Sequence, residues 1–531
     1  MIYLNFHKDQ IPDDDFWDYS MLKQYMSRNI WDPVGSFEKI PDNIVVIAGR
    51  YHSKDIKKIN TFLSRMDWCM VFIMGDEENE FPVEELDHPR MSVWVMAPTP
   101  GRHDPYHKIG SGWPSQVRQA NPEYGLRPNE WFFSGQTVHE QRHQMAEILR
   151  DLPRGELNET EGFTQGYPHE TYYEKMVESK SVPCPAGSFT PDSFRFFEAL
   201  ELGCVPIAGA MPSVLPYPDN YWTNLFGEVP FPIISDWNAL PGEITRVREE
   251  WPSIGNKVYA WWQDRKRDEA YEIHDEIYRY TRQRPEPRVK DKLTVLIPTS
   301  PIPSHPSLDI IEQTIKSVRD RLPDCEILIM VDGIRPEQEY YRDQYEQYIS
   351  RLLWKCNWEY HNVLPILFDE YSHQAEMTRQ TLSKVRTPAI LFVEHDCPLE
   401  GEIPLEGLSD VVADDQLDMI RLHHETKIGD YHQHLMLDSE PIEIGGLPFV
   451  RTVQWSQRPH LANTEYYRRI LNKHFSENAR TMIEDQMHSV AQSNPWDEHR
   501  LAIYHNEGNI QHSVTTDGRQ GDEKYGEKMI F

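Results

Sequence analysis

Short apolar runs separated by helix-length spacers set the rhythm of the chain: IVVIAG at 44–49, MVFIMGD at 70–76, SVWVMAP at 92–98 and WFFSG at 131–135. Runs of that length, rich in β-branched and apolar residues, predict βα units around a parallel sheet. Between the first two, SKDIKKINTFLSRM spaces its apolar residues three and four apart, which predicts a surface helix carrying the chain over by a right-handed crossover. After a polar loop containing GSGWPS at 110–115 the pattern restarts with WFFSG, the helix EQRHQMAEILRDL, the strand SVPC, the helix PDSFRFFEALELG and the strand VPIAG. Two α/β halves are expected, at 1–125 and 126–284.

Residues 281–291, TRQRPEPRVKD, are charged and proline-bearing with almost nothing to bury, so a linker is expected at 285–291. Beyond it, in a domain expected to span 292–531, LTVLIPTS at 293–300, CEILIMVDG at 325–333 and AILFVEHD at 389–396 repeat the strand, helix, strand order. The expected fold class is α/β: two Rossmann-like halves followed by a third nucleotide-binding-type sheet.

Composition narrows the partners. The chain has 531 residues, 26% charged and 39% hydrophobic, as in globular proteins that bury real cores. A net charge of −31 repels phosphate backbones and anionic lipid, which weighs against generic nucleic-acid or membrane-surface binding. The start, MIYLNFHKDQ, lacks the basic and apolar pattern of a secretion signal, and no apolar run is long enough to span a bilayer, so a cytoplasmic location is expected. Cys69, Cys184, Cys204, Cys325, Cys356 and Cys397 form no CxxC pair and read as reduced thiols. Asn158-Glu-Thr160 matches the glycosylation sequon and reads as a chance match.

Segment 180–209 reads as strand, glycine-bearing loop, helix and strand, with Asp192 or Ser193 as N-cap and Gly203 as the stop. An open helix N-terminus favours an anion, and Ser193 and Arg195 lie in its first turn. Glu198 shares Arg195's face, and a carboxylate there can accept both hydroxyls of a ribose. An ordinary capped helix with a surface Arg–Glu pair fits the same short pattern.

Taken whole, PxG, SFRFFEAL and GCVPI resemble the nucleotide-sugar half of the exostosin-type glycosyltransferases, family 47, whose fold is GT-B; the likeness is specific over 180–209 and looser over 130–280. It implies that Ser193 and Arg195 bind donor phosphate and that Glu198 binds the ribose. FFSG followed by Arg142 resembles that family's FxG…R segment, which implies that Arg142 faces the diphosphate; on an amphipathic helix such an arginine is otherwise solvated. The acceptor would lie in the first half. There Asp76, Glu77 and Glu78 close a strand at its carboxyl end, where open α/β sheets take ligands, and they also read as a solvated acidic loop.

In the last domain, VLIPTS and VDG close successive strands and resemble the start of family 2 glycosyltransferases of the GT-A fold, which implies that Thr299 and Asp332 grip the nucleoside. An Asp-Gly after a strand is also a common turn. The third strand ends in Glu394-His395-Asp396-Cys397, and alternation along an extended segment would point Glu394 and Asp396 to one side, toward a divalent cation carrying a diphosphate. The pair resembles the DxD motif in the form ExD, which implies Asp396 as the direct metal ligand, with Glu394 beside it at metal and donor. TMIEDQMHSV resembles the family's ED segment, which implies Asp485 as general base and Glu484 as the alternative, since the attacking hydroxyl must lose a proton. In HNEGNIQHSVTTDGR, which also carries Asp517, the resemblance places His512 on the metal and Arg519 over the diphosphate. Trp455, Arg458 and His460 fit either a sugar-binding wall or a packed loop.

Together the resemblances imply a bifunctional, inverting glycosyltransferase, GT-B followed by GT-A, moving sugars from nucleotide-sugar donors, UDP-linked ones foremost, to a glycan acceptor. Mn²⁺ or Mg²⁺ is expected in the GT-A domain, whereas arginine and helix dipole offset phosphate charge in a GT-B domain. Three rivals remain open. One is a single active domain with the other as a binding module. Another is a viral DNA-base glycosyltransferase acting on hydroxymethylated pyrimidines in the host cytoplasm, with nucleic acid as partner, against which the net charge of −31 weighs. The last is a non-catalytic scaffold.

Overall fold

The structure, a computed structural model, describes residues 1–4, 21–22, 42–96, 98–99, 101–114, 116–120, 124–162, 165–187, 189–210, 221–281, 289–493, 496, 498–506 and 508–515. One compact unit is built from the described residues up to Thr281 and a second from those beginning at Val289. Both are α/β.

Among the described residues the first unit holds two five-stranded sheets. β1 (Ile2–Leu4), β2 (Ile44–Ala48), β3 (Cys69–Met74), β4 (Met91–Met96) and β5 (His107–Ile109) lie side by side in chain order, all parallel. Every residue of β2 and β3 is buried, as expected of a parallel sheet covered on both faces. Helix α1 (Ile56–Leu63) crosses from β2 to β3 and drops Ile59 and Leu63 onto Val45, Ile47, Val71 and Ile73.

The second sheet contains β6 (Asn129–Gln136), β7 (Gly155–Thr160), β8 (Ser179–Cys184), β9 (Val205–Gly209) and β10 (Ile233–Ile234), parallel throughout, in the order β10-β9-β8-β6-β7. Its helices include α2 (Gln116–Ala120), α3 (Glu140–Arg150), α4 (His169–Val177), α5 (Phe194–Glu201) and α6 (Ser253–Thr281). Glu201, at the end of α5, is fully buried and takes Lys266 at 2.6 Å, Arg118 at 2.7 Å and the Trp262 indole N–H at 2.7 Å. That cluster pins α2 and α6 to α5, and removing one partner of such a buried set costs about 3–5 kcal/mol.

Among the described residues the second unit carries nine strands: β11 (Leu293–Thr299), β12 (Ile327–Val331), β13 (Val363–Leu367), β14 (Ala389–Phe392), β15 (Met419–Arg421), β16 (Ile442–Ile444), β17 (Leu447–Arg451), β18 (His460–Asn463) and β19 (Leu501–Tyr504). Their order is β13-β12-β11-β14-β18-β15-β19-β17-β16. The first four are parallel, and β18 joins β14 antiparallel. Helices used below are α7 (Asp309–Arg319), α8 (Arg342–Trp358), α9 (His373–Leu382), α10 (Thr464–His474) and α11 (Ile483–Ser493). Among the described residues no helix is long and apolar enough to cross a membrane.

Candidate functional site

In the first unit, β6 and β8 are neighbours although β7 separates them in sequence, so the chain order reverses between them. Open α/β sheets take ligands in the crevice outside the carboxyl ends at such a reversal. Two arginines close on it. Arg195, in the first turn of α5, donates to the Ser134 carbonyl at 2.7 Å and lies 4.4 Å over the Phe133 ring. Gly135 permits that approach, because a Cβ there would stand 2.4 Å from the guanidinium. Arg142, in the first turn of α3, donates to the Ala186 carbonyl at 3.1 Å. Burial and then the neighbouring charge of Arg195 hold Arg142 down at about 10. Two guanidiniums whose charges oppose each other favour an anion beside them.

The sequence gives Asp192 or Ser193 as the cap of α5, and neither side chain caps it. Ser193 occupies the N-cap position, but its Oγ is buried without a partner. Asp192 turns away, accepting the Ser111 amide at 3.1 Å and the Tyr221 hydroxyl at 3.2 Å. Burial pushes it up to about 6. The surface Arg–Glu pair is also replaced: Glu198 is buried and accepts one phenol on each oxygen, Tyr172 at 2.9 Å and Tyr173 at 3.3 Å, both from α4. Burial raises its pKa, and Arg195 opposes the rise. Each oxygen keeps a further lone pair for a hydroxyl. Asp76 is not part of a solvated loop; it is buried and locks the turn after β3 by accepting the amides of Glu80 at 3.0 Å and Phe81 at 3.2 Å.

In the second unit the reversal falls between β11 and β14. Thr299, the last residue of β11, shares a 2.8 Å hydrogen bond with the Tyr348 hydroxyl of α8, and its carbonyl accepts the Asp332 amide at 3.0 Å. Asp332, just past β12, is buried and accepts the amides of Gly333 at 2.9 Å, Ser372 at 2.8 Å and His373 at 3.2 Å. Burial outweighs those bonds and pushes it up to about 6.

Past β14 the chain is turned, not extended. The Cys397 amide donates to the Glu394 carbonyl at 3.0 Å, and α7 fixes the turn through Thr314, whose hydroxyl donates to the His395 carbonyl at 2.7 Å. Glu394 and Asp396 therefore meet through a turn, which also brings in a group the motif does not contain. The Cys397 thiol lies 3.8 Å from Glu394 Oε2 and 3.7 Å from Asp396 Oδ1, and ligand atoms of all three residues fall within 4.8 Å of one another. Two carboxylates and a thiol suit a divalent cation.

His512 stands outside that set, on a segment paired with the turn: the Thr515 amide donates to the Asp396 carbonyl at 2.7 Å, and His512 bridges Leu399. Burial holds its imidazole neutral, down at about 3. The His424 ring lies 5.6 Å away and His423 follows at 5.6 Å from His424, a pair the motif reading missed although His-His-Glu at 423–425 was visible. The positive charge of Arg458 reaches Cys397, His424 and His512. Trp455 and His460 are instead buried, with His460 hydrogen-bonded to the Tyr467 hydroxyl at 2.5 Å.

At the start of α11, Glu484 accepts the Gln457 amide at 2.7 Å and so holds the loop before β18. Asp485 is exposed, and its charge is felt by His373. The start of α11 is tied to that of α9, since Ala375 donates to the Thr481 carbonyl at 3.1 Å. Arg519 and Asp517 lie outside the described residues.

No family model and no curated protein matches the chain. Among solved structures, S. aureus TarS 1–349 aligns at 14% identity with a TM-score of 0.28, over 42% of this chain and 60% of that one. TarS 1–349 in complex with UDP-GlcNAc aligns at 13% identity with a TM-score of 0.28, over 44% and 62%. The chain thus spans about 60% of the length of that TarS fragment, and likeness at this level bears on neither activity nor site residues.

Proposed function

We propose that the chain is a bifunctional, inverting glycosyltransferase that takes nucleotide-linked sugars at two sites, a GT-B-type site in the first unit and a GT-A-type site in the second. The observation that carries the reading is where the motif residues fall: Arg142, Arg195 and Glu198 gather beside the chain-order reversal of one unit, and in the other Thr299 ends β11 while Glu394 and Asp396 follow β14, the two strands that flank the reversal.

In the first unit Arg142 and Arg195 hold the donor diphosphate, Ser193 adds its hydroxyl, and Glu198 accepts the ribose hydroxyls. In the second, Thr299 and Asp332 flank the nucleoside and Arg458 faces the diphosphate. Glu394 and Asp396, with His512 beside them, would hold Mn²⁺ or Mg²⁺, which when bound offsets charge on the departing diphosphate. Asp485 takes the acceptor's proton as its oxygen attacks the anomeric carbon. The bond to the diphosphate breaks, and its electron pair leaves with that group. Glu484 is the poorer base because it is committed to the Gln457 amide. Donor class and acceptor follow from this reading as a nucleotide sugar, UDP-linked first, and a glycan hydroxyl.

The test is donor hydrolysis and transfer across UDP-, GDP- and CMP-sugars, with and without Mn²⁺, on the full chain and on Glu198→Ala and Asp396→Ala. Two donor-consuming activities are expected, one metal-dependent and lost with Asp396, the other metal-independent and lost with Glu198. A single activity removes the bifunctional claim; no activity with any donor removes the transferase reading.

A further inference from the structure

One cavity of the second unit has no part in the transfer chemistry. Its volume is about 450 Å³, within the range of small-molecule sites, and its walls are the C-terminal half of α10 and the segments that lead into β15 and β19. β15 runs parallel to β19 and, by way of β18, in the same direction as β14. Asp418 and Arg500 precede their strands, whereas Glu394 and Asp396 follow β14, so the cavity lies at the opposite end of the sheet from the 394–397 turn.

Its walls exclude most ligand classes. Among the described residues that line it, Ile470 is the only apolar side chain, so an apolar molecule finds little to bury against. Three cations face three carboxylates: Arg500 holds Asp418 at 3.0 Å and Asp415 at 2.6 Å, Lys473 holds Glu498 at 3.0 Å, and Arg469 stands 3.6 Å from Asp418. Burial keeps His474 and His499 neutral, so the charges cancel and the field favours neither an anion nor a cation. Three metal-ligand atoms do not converge here; among the described residues they do so only at the 394–397 turn.

What remains is unused hydrogen bonding. His499 is 3% exposed; its Nδ1 meets the Tyr466 hydroxyl at 3.1 Å, and its Nε2 is buried without a partner. The His474 ring, 6.2 Å away, also has a buried Nε2 without a partner. Arg469 makes no hydrogen bond among the described residues, and Glu498 uses one carboxylate oxygen. Buried polar atoms are normally paired, so two neighbouring orphans beside an unused guanidinium mark a place for a molecule that supplies their partners. A sugar is neutral, and each of its hydroxyls both donates and accepts.

We propose that this cavity is a carbohydrate-binding site, separate from the transfer centre, that holds neutral sugar residues of the acceptor glycan. Arg469 donates to their hydroxyls, Glu498 accepts from them, and the imidazoles of His474 and His499 gain the partners they lack. That the sugar belongs to the acceptor rests on the transferase reading; that a sugar binds here does not. The four residues of β14 alone span about 13 Å at about 3.3 Å each, so a glycan held at both places is several sugars long.

The experiment is saturation-transfer NMR on the full chain, without donor or metal, using trisaccharides of glucose, N-acetylglucosamine, mannose, galactose and xylose, with sulfate as competitor. At least one trisaccharide is expected to bind the wild type, to bind Arg469→Gln and His499→Gln about ten-fold more weakly, and to resist displacement by sulfate. Melting curves show which variants fold; should the buried His499→Gln fail, Arg469→Gln decides alone, because its side chain is exposed and holds no hydrogen bond in the fold. No binding by any trisaccharide, equal binding to wild type and Arg469→Gln, or displacement by sulfate overturns the proposal. Transfer kinetics then test the acceptor role: Arg469→Gln is expected to raise KM for long acceptors with kcat unchanged. Sugar binding that the variant loses, in a chain that transfers from no donor, keeps the carbohydrate site and defeats the transferase reading alone.

Discussion

The two units place opposite charges beside their chain-order reversals. At its reversal of chain order the first unit sets two guanidiniums against backbone carbonyls and clamps one glutamate between two tyrosines. The second sets two carboxylates and a thiol on a tight turn, with His512 on the segment paired with it and the charge of Arg458 felt by the thiol. Fixed positive charge is available at once and asks for a single ligand geometry. An acidic turn must borrow its positive charge, which makes it dependent on what the surroundings supply. The difference teaches that sheet topology chooses the place of a site, while loop residues choose the sign of its field.

Four perturbations break or sharpen that contrast. Asp396→Asn should cut the metal-dependent turnover by about 10²–10³-fold, the scale of several kcal/mol of charge stabilisation, and leave the metal-independent one within about two-fold. Rates measured with each donor, with and without chelator, show whether the units are that separable. Arg195→Lys should lower the metal-independent turnover by about 10²-fold, because a point charge cannot both hold the Ser134 carbonyl and fork onto a phosphate. Equal loss with Arg195→Met would locate the effect in the fork. Glu198→Gln, which keeps its size, should raise KM for the metal-independent donor by about ten-fold with little change in kcat.

The smallest effect is one where the units should behave alike. Asp192 and Asp332 are both buried, and burial pushes both up to about 6 from the usual 3.8. Below the usual value both folded and unfolded chains hold the proton. Between it and about 6 only the folded chain does, so stability falls as pH rises through that window and the cost persists above it. Asp192→Asn and Asp332→Asn should therefore each raise Tm near pH 8, by on the order of 1–3 kcal/mol of stability, and change little near pH 4. Calorimetry at the two pH values checks both, and a gain at low pH would reverse the sign.

Strands were legible where an apolar run is buried on both faces. VPIAG at 205–209 is β9 residue for residue, and LTVLIPTS contains β11. Strands without such a run were not: β7, GELNET, is a half-buried edge strand with polar side chains on both faces, and the three-residue β5 is too short to show a period. The site was legible as residue types and not as contacts. Asp192 reads as a helix cap because capping is a local affair, yet its partners, Ser111 and Tyr221, lie far along the chain in both directions. Glu394 and Asp396 read as an alternating pair, whereas the turn that joins them is imposed by Thr314 of α7. Cys397 read as one more buried thiol because nothing in sequence separates a thiol facing apolar neighbours from one facing two acids. His423 and His424 had no motif to announce them.

The buried carboxylate of Glu201 has a consequence for motion. It sits on the same face of the same short helix as Glu198, one turn farther on, and it is held by lysine, arginine and indole from two other helices. Helix α5 therefore cannot fray at its C-terminal end without stranding an ion deep inside the fold. Its amides should exchange with deuterium only when the whole unit opens, and they should be among the slowest in the chain. The 394–397 turn, held by one internal bond, the Thr314 hydroxyl and a short paired segment, should exchange through local opening on a faster clock. One helix is anchored by buried ions, and the other segment by neutral hydrogen bonds alone.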